Sequence, residues 1–143
     1  MEYKLFLDTN VFLDVFLEKT PDWQEAEAVL QLAAKNKIDI YTSPNNLVNV
    51  IYSLNKQKLS QEEIIQLMEF TLTYTKFADI NTSTFAFALR AGFNDLEDAV
   101  QYYTALQIKG IDYFITSNTR DYKKASSQLP VITPKKFMAL YNK

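Results

Sequence analysis

Short stretches typical of strands alternate along the chain with longer stretches whose apolar residues recur at helical spacing. The predicted strands are residues 3–7, 39–42, 76–80, 112–116 and 130–132. The first contains the run Leu5-Phe6-Leu7, which fits a strand buried on both faces, as in a parallel sheet. A helical pattern lies between each pair of strands. This order predicts parallel βαβ units with right-handed crossovers.

Capping residues and prolines mark where the helices begin and end. The expected caps are Thr9 or Asn10, Ser60 paired with Glu63 as a capping box, and Thr82 or Ser83. Pro21 is expected in the first turn of a helix, where its missing N–H costs nothing. Gly92 is expected to end the helix that starts at residue 82 or 83.

Composition narrows the chemistry that this chain can perform. With 143 residues, 1–143 is expected to form a single domain. The chain has no cysteine and no histidine. Disulfides, thiolate zinc sites, cysteine nucleophiles and Ser-His-Asp triads are therefore excluded. Any metal must be held by oxygen, which favours Mg²⁺ or Mn²⁺.

Charge and hydropathy indicate where the protein works. The net charge is −2, so binding to a nucleic acid would need a local basic patch. No stretch is long and apolar enough to span a membrane. A strand is predicted from the first few residues, so we expect no signal peptide and a cytoplasmic location.

Acidic residues from three distant parts of the chain are expected to meet. Asp8 and Asp121 follow predicted strands, and Asp95 and Asp98 lie in the first turn of a predicted helix. Carboxylates gathered at the carboxyl edge of a sheet repel one another, and a bound cation removes that penalty. Each acid also has a purely structural interpretation. Asp8 could form an Asx-type cap, Asp95 and Asp98 could complement a helix dipole, and Asp121 could pair with Arg120 or Lys123.

Three motifs in this order resemble the PIN-domain family. They are Leu7-Asp8-Thr9-Asn10-Val11, Asp98-Ala99 followed by Tyr102 to Ala105, and Ile115-Thr116-Ser117-Asn118-Thr119-Arg120-Asp121-Tyr122. The resemblance implies a three-layer α/β/α sandwich with a five-stranded, mainly parallel sheet. It also implies a Mg²⁺- or Mn²⁺-dependent endoribonuclease with Asp8, Asp98 and Asp121 as catalytic metal ligands. The supporting residues would be Asp95, Asn10, Asn49, Thr116 and Asn118.

The resemblance also implies partners, and it contains one departure. Toxins of this family commonly form homodimers and are silenced by an antitoxin protein. The family's second acid is usually a glutamate on the helix after the second strand, and here Asn49 takes that position. An amide oxygen brings no charge, so a weakened fold member that only binds nucleic acid or protein is the alternative.

The remaining inferences concern substrate contacts and competing folds. Arg120, Lys123 and Lys124 lie beside the last motif and would attract RNA phosphates, whereas Lys56 and Lys58 are expected to be ordinary surface lysines. An aspartyl phosphatase would need an acid where Asn10 stands. A receiver domain would need paired acids after the first strand and a phosphoacceptor residue on the third strand. Neither of these two classes is favoured.

Phe85, Phe87, Tyr102 and Tyr103 could mark an interface, but core packing is the expectation.

Overall fold

The computed structural model describes residues 2–125 and 127–143. Its strands are β1 (Lys4–Leu7), β2 (Asp39–Thr42), β3 (Thr75–Phe77), β4 (Tyr113–Ile115) and β5 (Val131–Ile132). Its helices are α1 (Thr9–Leu17), α2 (Trp23–Ala34), α3 (Pro44–Lys56), α4 (Gln61–Leu72), α5 (Thr82–Leu89), α6 (Leu96–Leu106) and α7 (Pro134–Tyr141), with a 3₁₀ turn at Thr119–Tyr122.

The strands form one parallel sheet in the order β3-β2-β1-β4-β5. The predicted α/β class and parallel sheet are thus confirmed. After β1 the chain builds β2 and β3 on one side, and it later returns to place β4 on the other side. The ends of β1 and β4 therefore flank a topological switch point. Open α/β sheets bind ligands at such a point.

Side-chain alternation along β1 divides the interior into two cores. Leu5 and Leu7 pack into the core that also contains residues of α1, α2, α3, α4 and α7. Phe6 packs into the opposite core with residues of α5 and α6, and its ring stacks on Phe114 at a centroid distance of 5.4 Å. Because both faces of β1 are covered by helices, the three-layer sandwich predicted from the resemblance is confirmed.

Several predicted boundaries are wrong by a few residues. Asp8, with an extended backbone, precedes the first turn of α1, so neither Thr9 nor Asn10 is its N-cap. Pro21 lies before α2 instead of in its first turn. The side chain of Asn81 caps α5 by accepting from the backbone N–H of Thr84 at 2.8 Å, which replaces the expected caps Thr82 and Ser83.

The boundaries of other elements follow from strand pairing and helix capping. β3 ends at Phe77 because its partner β2 ends at Thr42. The capping box of Ser60 and Glu63 is confirmed, with both reciprocal hydrogen bonds formed. Helix α5 ends at Leu89, before the expected stop at Gly92.

The expectation that these aromatic residues pack in the core is correct for Tyr102 and wrong for Phe85 and Phe87. Tyr102 is fully buried, and Tyr103 is half-buried. Phe85 and Phe87 are 45% and 62% exposed, so the expected core packing of α5 aromatics is wrong. Among the described residues, every helix is too short or too polar to cross a lipid bilayer.

Candidate functional site

Asp8 occupies the switch point and is held by several uncharged donors. Its side chain is only 5% exposed. Its Oδ2 accepts hydrogen bonds from the Thr116 hydroxyl at 2.8 Å and from Asn10 Nδ2 at 3.2 Å. Burial raises the pKa of Asp8, and the hydrogen bonds from Thr116, Gln101 and Tyr122 oppose that rise. Asp8 is thus a fixed carboxylate in a site that does not neutralise its charge.

The Tyr122 hydroxyl joins Asp8 to Asp98. Its oxygen lies 3.1 Å from Asp8 Oδ2 and 3.2 Å from Asp98 Oδ1, and the tyrosine itself is buried. A phenol has one proton, so it can donate to only one of these carboxylates at a time. Burial, followed by the charges of Asp8 and Asp98, raises the pKa of Tyr122, which therefore stays protonated. Two carboxylates 90 residues apart in sequence thus share one hydroxyl.

Asp98 carries the electrostatic cost of this arrangement. It lies in the first turn of α6 and is half-buried. Burial, then the charges of Asp8 and Asp95, and finally that of Asp121, raise the pKa of Asp98 to about 7, while the Tyr122 hydrogen bond opposes the rise. We refer to Asp8, Asp95, Asp98 and Asp121 as the acid cluster, because each of the other three raises the pKa of Asp98.

Asp95 and Asp121 have local roles within the acid cluster. Asp95 is the N-cap of α6, and its Oδ1 accepts from the backbone N–H groups of Glu97 and Asp98. Asp121 is exposed on the 3₁₀ turn, where its Oδ2 accepts from Asn118 Nδ2 at 3.0 Å. The possible ion pairing of Asp121 with Arg120 or Lys123 is thus replaced by an amide contact.

Thr116 and Asn10 organise the end of β4 around Asp8. Besides donating to Asp8, the Thr116 hydroxyl oxygen accepts from the backbone N–H of Asn118 at 3.2 Å. Asn10 Oδ1 accepts from the backbone N–H of Ser117 at 3.1 Å. The structure therefore brings Asn10, Thr116 and Asn118 beside the acid cluster, as the sequence predicts.

The chemistry of the acid cluster suits a hard divalent cation, although its carboxylates are not closed around one. Every ionisable side chain in the cluster is a carboxylate, and oxygen ligands are what Mg²⁺ and Mn²⁺ prefer. Within residues 2–125 and 127–143, no three acidic side chains stand close enough to enclose an ion. The joint ligation of a metal by Asp8, Asp98 and Asp121 therefore stays a prediction.

A pair of buried amides supports Asp8 from the β2 side. Asn46 Nδ2 donates to Gln101 Oε1 at 2.9 Å and to the Thr42 hydroxyl at 3.0 Å. Gln101 in turn interacts with Asp8 and lowers the pKa of that carboxyl. We call Asn46 and Gln101 the amide bridge. Sequence reasoning missed both residues, although Gln101 lies three positions after Asp98 and so projects from a similar face of α6.

Asn49, the residue at the usual glutamate position, lies one turn along α3 from Asn46. It is half-buried, and its Nδ2 has no hydrogen-bond partner in the part of the chain that is described. An unpaired buried amide is costly, which distinguishes Asn49 from the fully engaged Nδ2 of Asn46.

Asp14, a carboxylate outside the acid cluster, lies at the same edge of the sheet, and sequence reasoning also missed it. Asp14 is buried on α1, and its Oδ2 accepts a short hydrogen bond from the Ser117 hydroxyl. Burial raises the pKa of Asp14, Ser117 and Lys19 oppose the rise, and the charge of Asp8 adds to it. Asp14 therefore anchors the segment after β4 to α1, next to Asp8.

The predicted basic residues surround the 3₁₀ turn. Arg120, Lys123 and Lys124 are all exposed. They lie on the segment that also carries Asp121 and Tyr122, so cations border the acid cluster on this side. Lys56 and Lys58 are exposed on and after α3, as expected of surface lysines, and Lys56 lies over the Tyr52 ring at 5.1 Å.

Comparisons with known proteins identify relatives of similar sequence and fold. Ribonuclease VapC1 of Aquifex aeolicus (strain VF5) is 26% identical over 144 residues, which cover 97% of this chain and 96% of that protein. The crystal structure of VapBC2 from Rickettsia felis bound to a DNA fragment from their promoter contains a similar chain, with a TM-score of 0.68 and 19% identity over 91% of this chain and 98% of that one. PAE2754 from Pyrobaculum aerophilum matches over the full length of both chains, with a TM-score of 0.66 and 13% identity.

A family model described as PIN domain matches residues 4–120, a span that holds β1 to β4, Asp8 and Asp98. The match ends just before Asp121. Because this family model matches well over half of the chain, the chain belongs to the PIN-domain family.

Proposed function

We propose that this protein is a metal-dependent endoribonuclease and the toxin of a toxin–antitoxin pair. The observation that carries the proposal is the meeting of Asp8 and Asp98 at the Tyr122 hydroxyl, at the switch point of a PIN-family sheet. The ribonuclease relative, aligned over nearly the whole chain, supports the same reaction class.

Each side chain has a defined task in this proposal. Asp8, Asp98 and Asp121 would hold Mg²⁺ or Mn²⁺, which when bound supplies an activated water and neutralises charge on the phosphate. Asp95 would fix the start of α6, and Thr116, Asn10 and Asn118 would orient the acids. Arg120, Lys123 and Lys124 would bind phosphates of the RNA, so affinity should fall steeply with salt.

Partners follow from the relatives and not from this chain alone. The similar chain from Rickettsia felis comes from the crystal structure of VapBC2 bound to a DNA fragment from their promoter. We propose an antitoxin protein as a partner of this chain, and self-association as a homodimer. Exposed apolar residues on α3, Val48 and Tyr52, provide surface for such contacts.

The central test is cleavage of single-stranded and structured RNA with Mg²⁺ or Mn²⁺. Asp8→Asn should abolish cleavage, because the amide removes the buried charge at the switch point. Asp22→Asn removes an equal charge at an exposed position and should cleave like the wild type. Unchanged circular dichroism and thermal melting would show that the Asp8 variant is folded. Normal cleavage by Asp8→Asn, or none by the wild type, would overturn the proposal.

A binding module without catalysis is the second candidate, and Asn49 is the observation that favours it. One negative charge fewer than the family pattern lowers the expected affinity for a cation. Calorimetric titration with Mn²⁺ separates the two candidates. Saturable binding that Asp98→Asn weakens favours the nuclease, and RNA binding with neither Mn²⁺ binding nor cleavage favours the module.

A further inference from the structure

A cavity of about 550 Å³ opens on the β2 side of Asp8. It lies between the start of α3, the segment after β3, and helices α5 and α6. Its apolar wall includes Phe85, Leu89 and Leu96, all largely exposed to solvent. We call this space the side cavity. It places three exposed apolar side chains next to the candidate active site, where burial by a ligand would stabilise them.

The amide bridge forms the polar part of the side cavity and connects it to the acid cluster. Asn46 and Gln101 both line the cavity, and the Gln101 side chain also interacts with Asp8. Asn46 is fully buried, yet its Oδ1 has no hydrogen-bond partner among the described residues. A ligand in the cavity would therefore lie one side chain away from Asp8, beside a buried amide with unused acceptor capacity.

The charges that line the side cavity exclude a phosphate. Its lining residues include the carboxylates of Asp79 and Glu97 but no lysine or arginine. Arg120, which is expected to bind phosphates, lies instead on the 3₁₀ turn and does not line the cavity. A fitting occupant therefore carries no negative charge and has an apolar face for Phe85 and hydrogen-bonding edges for amides and carboxylates.

We propose that the side cavity binds a nucleobase of the RNA, from a nucleotide next to the scissile phosphate, and that it prefers bases with an amino group. The inference rests on the proposed ribonuclease activity. Aromatic side chains stack on bases, and carboxylates accept from exocyclic amino groups such as N4 of cytosine. Uracil carries an oxygen at that position and would face Asp79 and Glu97 unfavourably.

A contact between two copies of the chain is the competing occupant, and the layout of α5 argues against it. Phe87 is more exposed than Phe85, yet it lies outside the side cavity and packs its ring against Tyr103. An interface between copies would cover both phenylalanines, whereas a base in the cavity contacts only Phe85. The pair therefore provides a matched comparison on one helix.

The first experiment measures binding of fluorescent oligo(C) and oligo(U) RNAs of equal length by anisotropy. Asp8→Asn protein serves as the background, because it should bind without cleaving. Adding Phe85→Ala should raise the Kd for oligo(C) about tenfold, the size of one base–aromatic stack. Adding Phe87→Ala should leave the Kd unchanged. Equal losses from both variants, or none from either, would overturn the inference.

The second experiment tests the amino-group preference. Oligo(C) should bind about tenfold more tightly than oligo(U), since one good edge contact discriminates by roughly 1–3 kcal/mol. Asp79→Asn combined with Glu97→Gln should reduce that ratio to near one, while the remote Asp22→Asn should preserve it. Equal affinities of the background protein for the two RNAs would overturn the preference.

Two readouts keep failure of this inference distinct from failure of the proposed function. If the wild type cleaves RNA and the Phe85→Ala substitution leaves RNA binding unchanged, the base site alone is overturned. A wild type that cleaves nothing with Mg²⁺ or Mn²⁺ would overturn the nuclease. Sedimentation covers the competing occupant, because a dimer disrupted by both phenylalanine variants would assign the face to self-association and overturn the base site.

Discussion

The polar groups on the two sides of Asp8 differ in charge. On the β4 side, Asp98 and Tyr122 meet Asp8, and the pKa of Asp98 is raised to about 7 by burial and by neighbouring carboxylates. On the β2 side, Asn46 and Gln101 are neutral, and Asn46 Nδ2 donates to Gln101 Oε1. The first side is destabilised by its own charges, and the second is stabilised by its contacts. The difference indicates where the proposed cation would stabilise the site, because the mutual repulsion of the acid cluster is on the β4 side.

The largest effect should come from Asp98→Asn. It should lower kcat/KM for RNA by about 10²–10³-fold, since it removes a charge that the proposed reaction uses. It should also raise the melting temperature of the metal-free protein, because it relieves repulsion in the acid cluster. Asp112→Asn, an exposed change elsewhere, should leave cleavage unaltered. A lower melting temperature for Asp98→Asn would show that the β4 side is not destabilised by charge.

Asn46→Ala should have the opposite effect on stability. It removes the donor that Gln101 and Thr42 share in a fully buried position, so unfolding free energy should fall by about 2–3 kcal/mol. Urea denaturation measures this change. Asn45→Ala, at the exposed neighbouring position, is the control and should change stability little. A neutral result for Asn46→Ala would remove the contrast between the two sides.

Asn49→Glu should sharpen the comparison by adding the missing charge. Mn²⁺ affinity measured by calorimetry should rise about tenfold, equivalent to about 1.4 kcal/mol, because ligand charge governs divalent affinity. Asn55→Glu adds the same charge to an exposed position on α3 and should leave the affinity unchanged. Equal gains from both variants would mean that general charge, and not position 49, controls binding.

The smallest effect concerns pH. The folded-state pKa of Asp98 is raised from 3.8 to about 7, so the native state binds more protons than the unfolded state between these values. Stability of the metal-free protein should therefore fall as pH rises through that window. Because Asp98 is partly exposed, about 1 kcal/mol is expected. Melting at pH 5 and pH 7 measures the effect, Asp98→Asn should reduce it, and a rise in stability would contradict it.

Local sequence patterns predicted the parts of this molecule that depend on neighbours in the chain. The strand that ends just before Asp8 and the capping box of Ser60 are examples, and the structure confirms them. Thr116 and Asn118 were predicted through the resemblance, because their motif is contiguous with β4.

Contacts across the fold were not predictable in the same way. Tyr122 follows Asp121 in the last of the three motifs, but only the sheet order places its hydroxyl between Asp8 and Asp98. Asn46 reaches Gln101 across 55 residues, and no spacing rule relates them. Phe85 and Phe87 were assigned to the core by residue type, although α5 leaves both exposed. The shortfall is in tertiary partners, which residue type and period do not specify.

The hydrogen bond from Thr116 to Asp8 spans 108 residues. During synthesis, a chain still lacking β4 has the first carboxylate but neither Thr116 nor Tyr122 to hold it. The arrangement around Asp8 is thus complete only once synthesis has passed Tyr122. For the proposed nuclease, this order of synthesis delays assembly of the candidate site until both β4 and the 3₁₀ turn have been made.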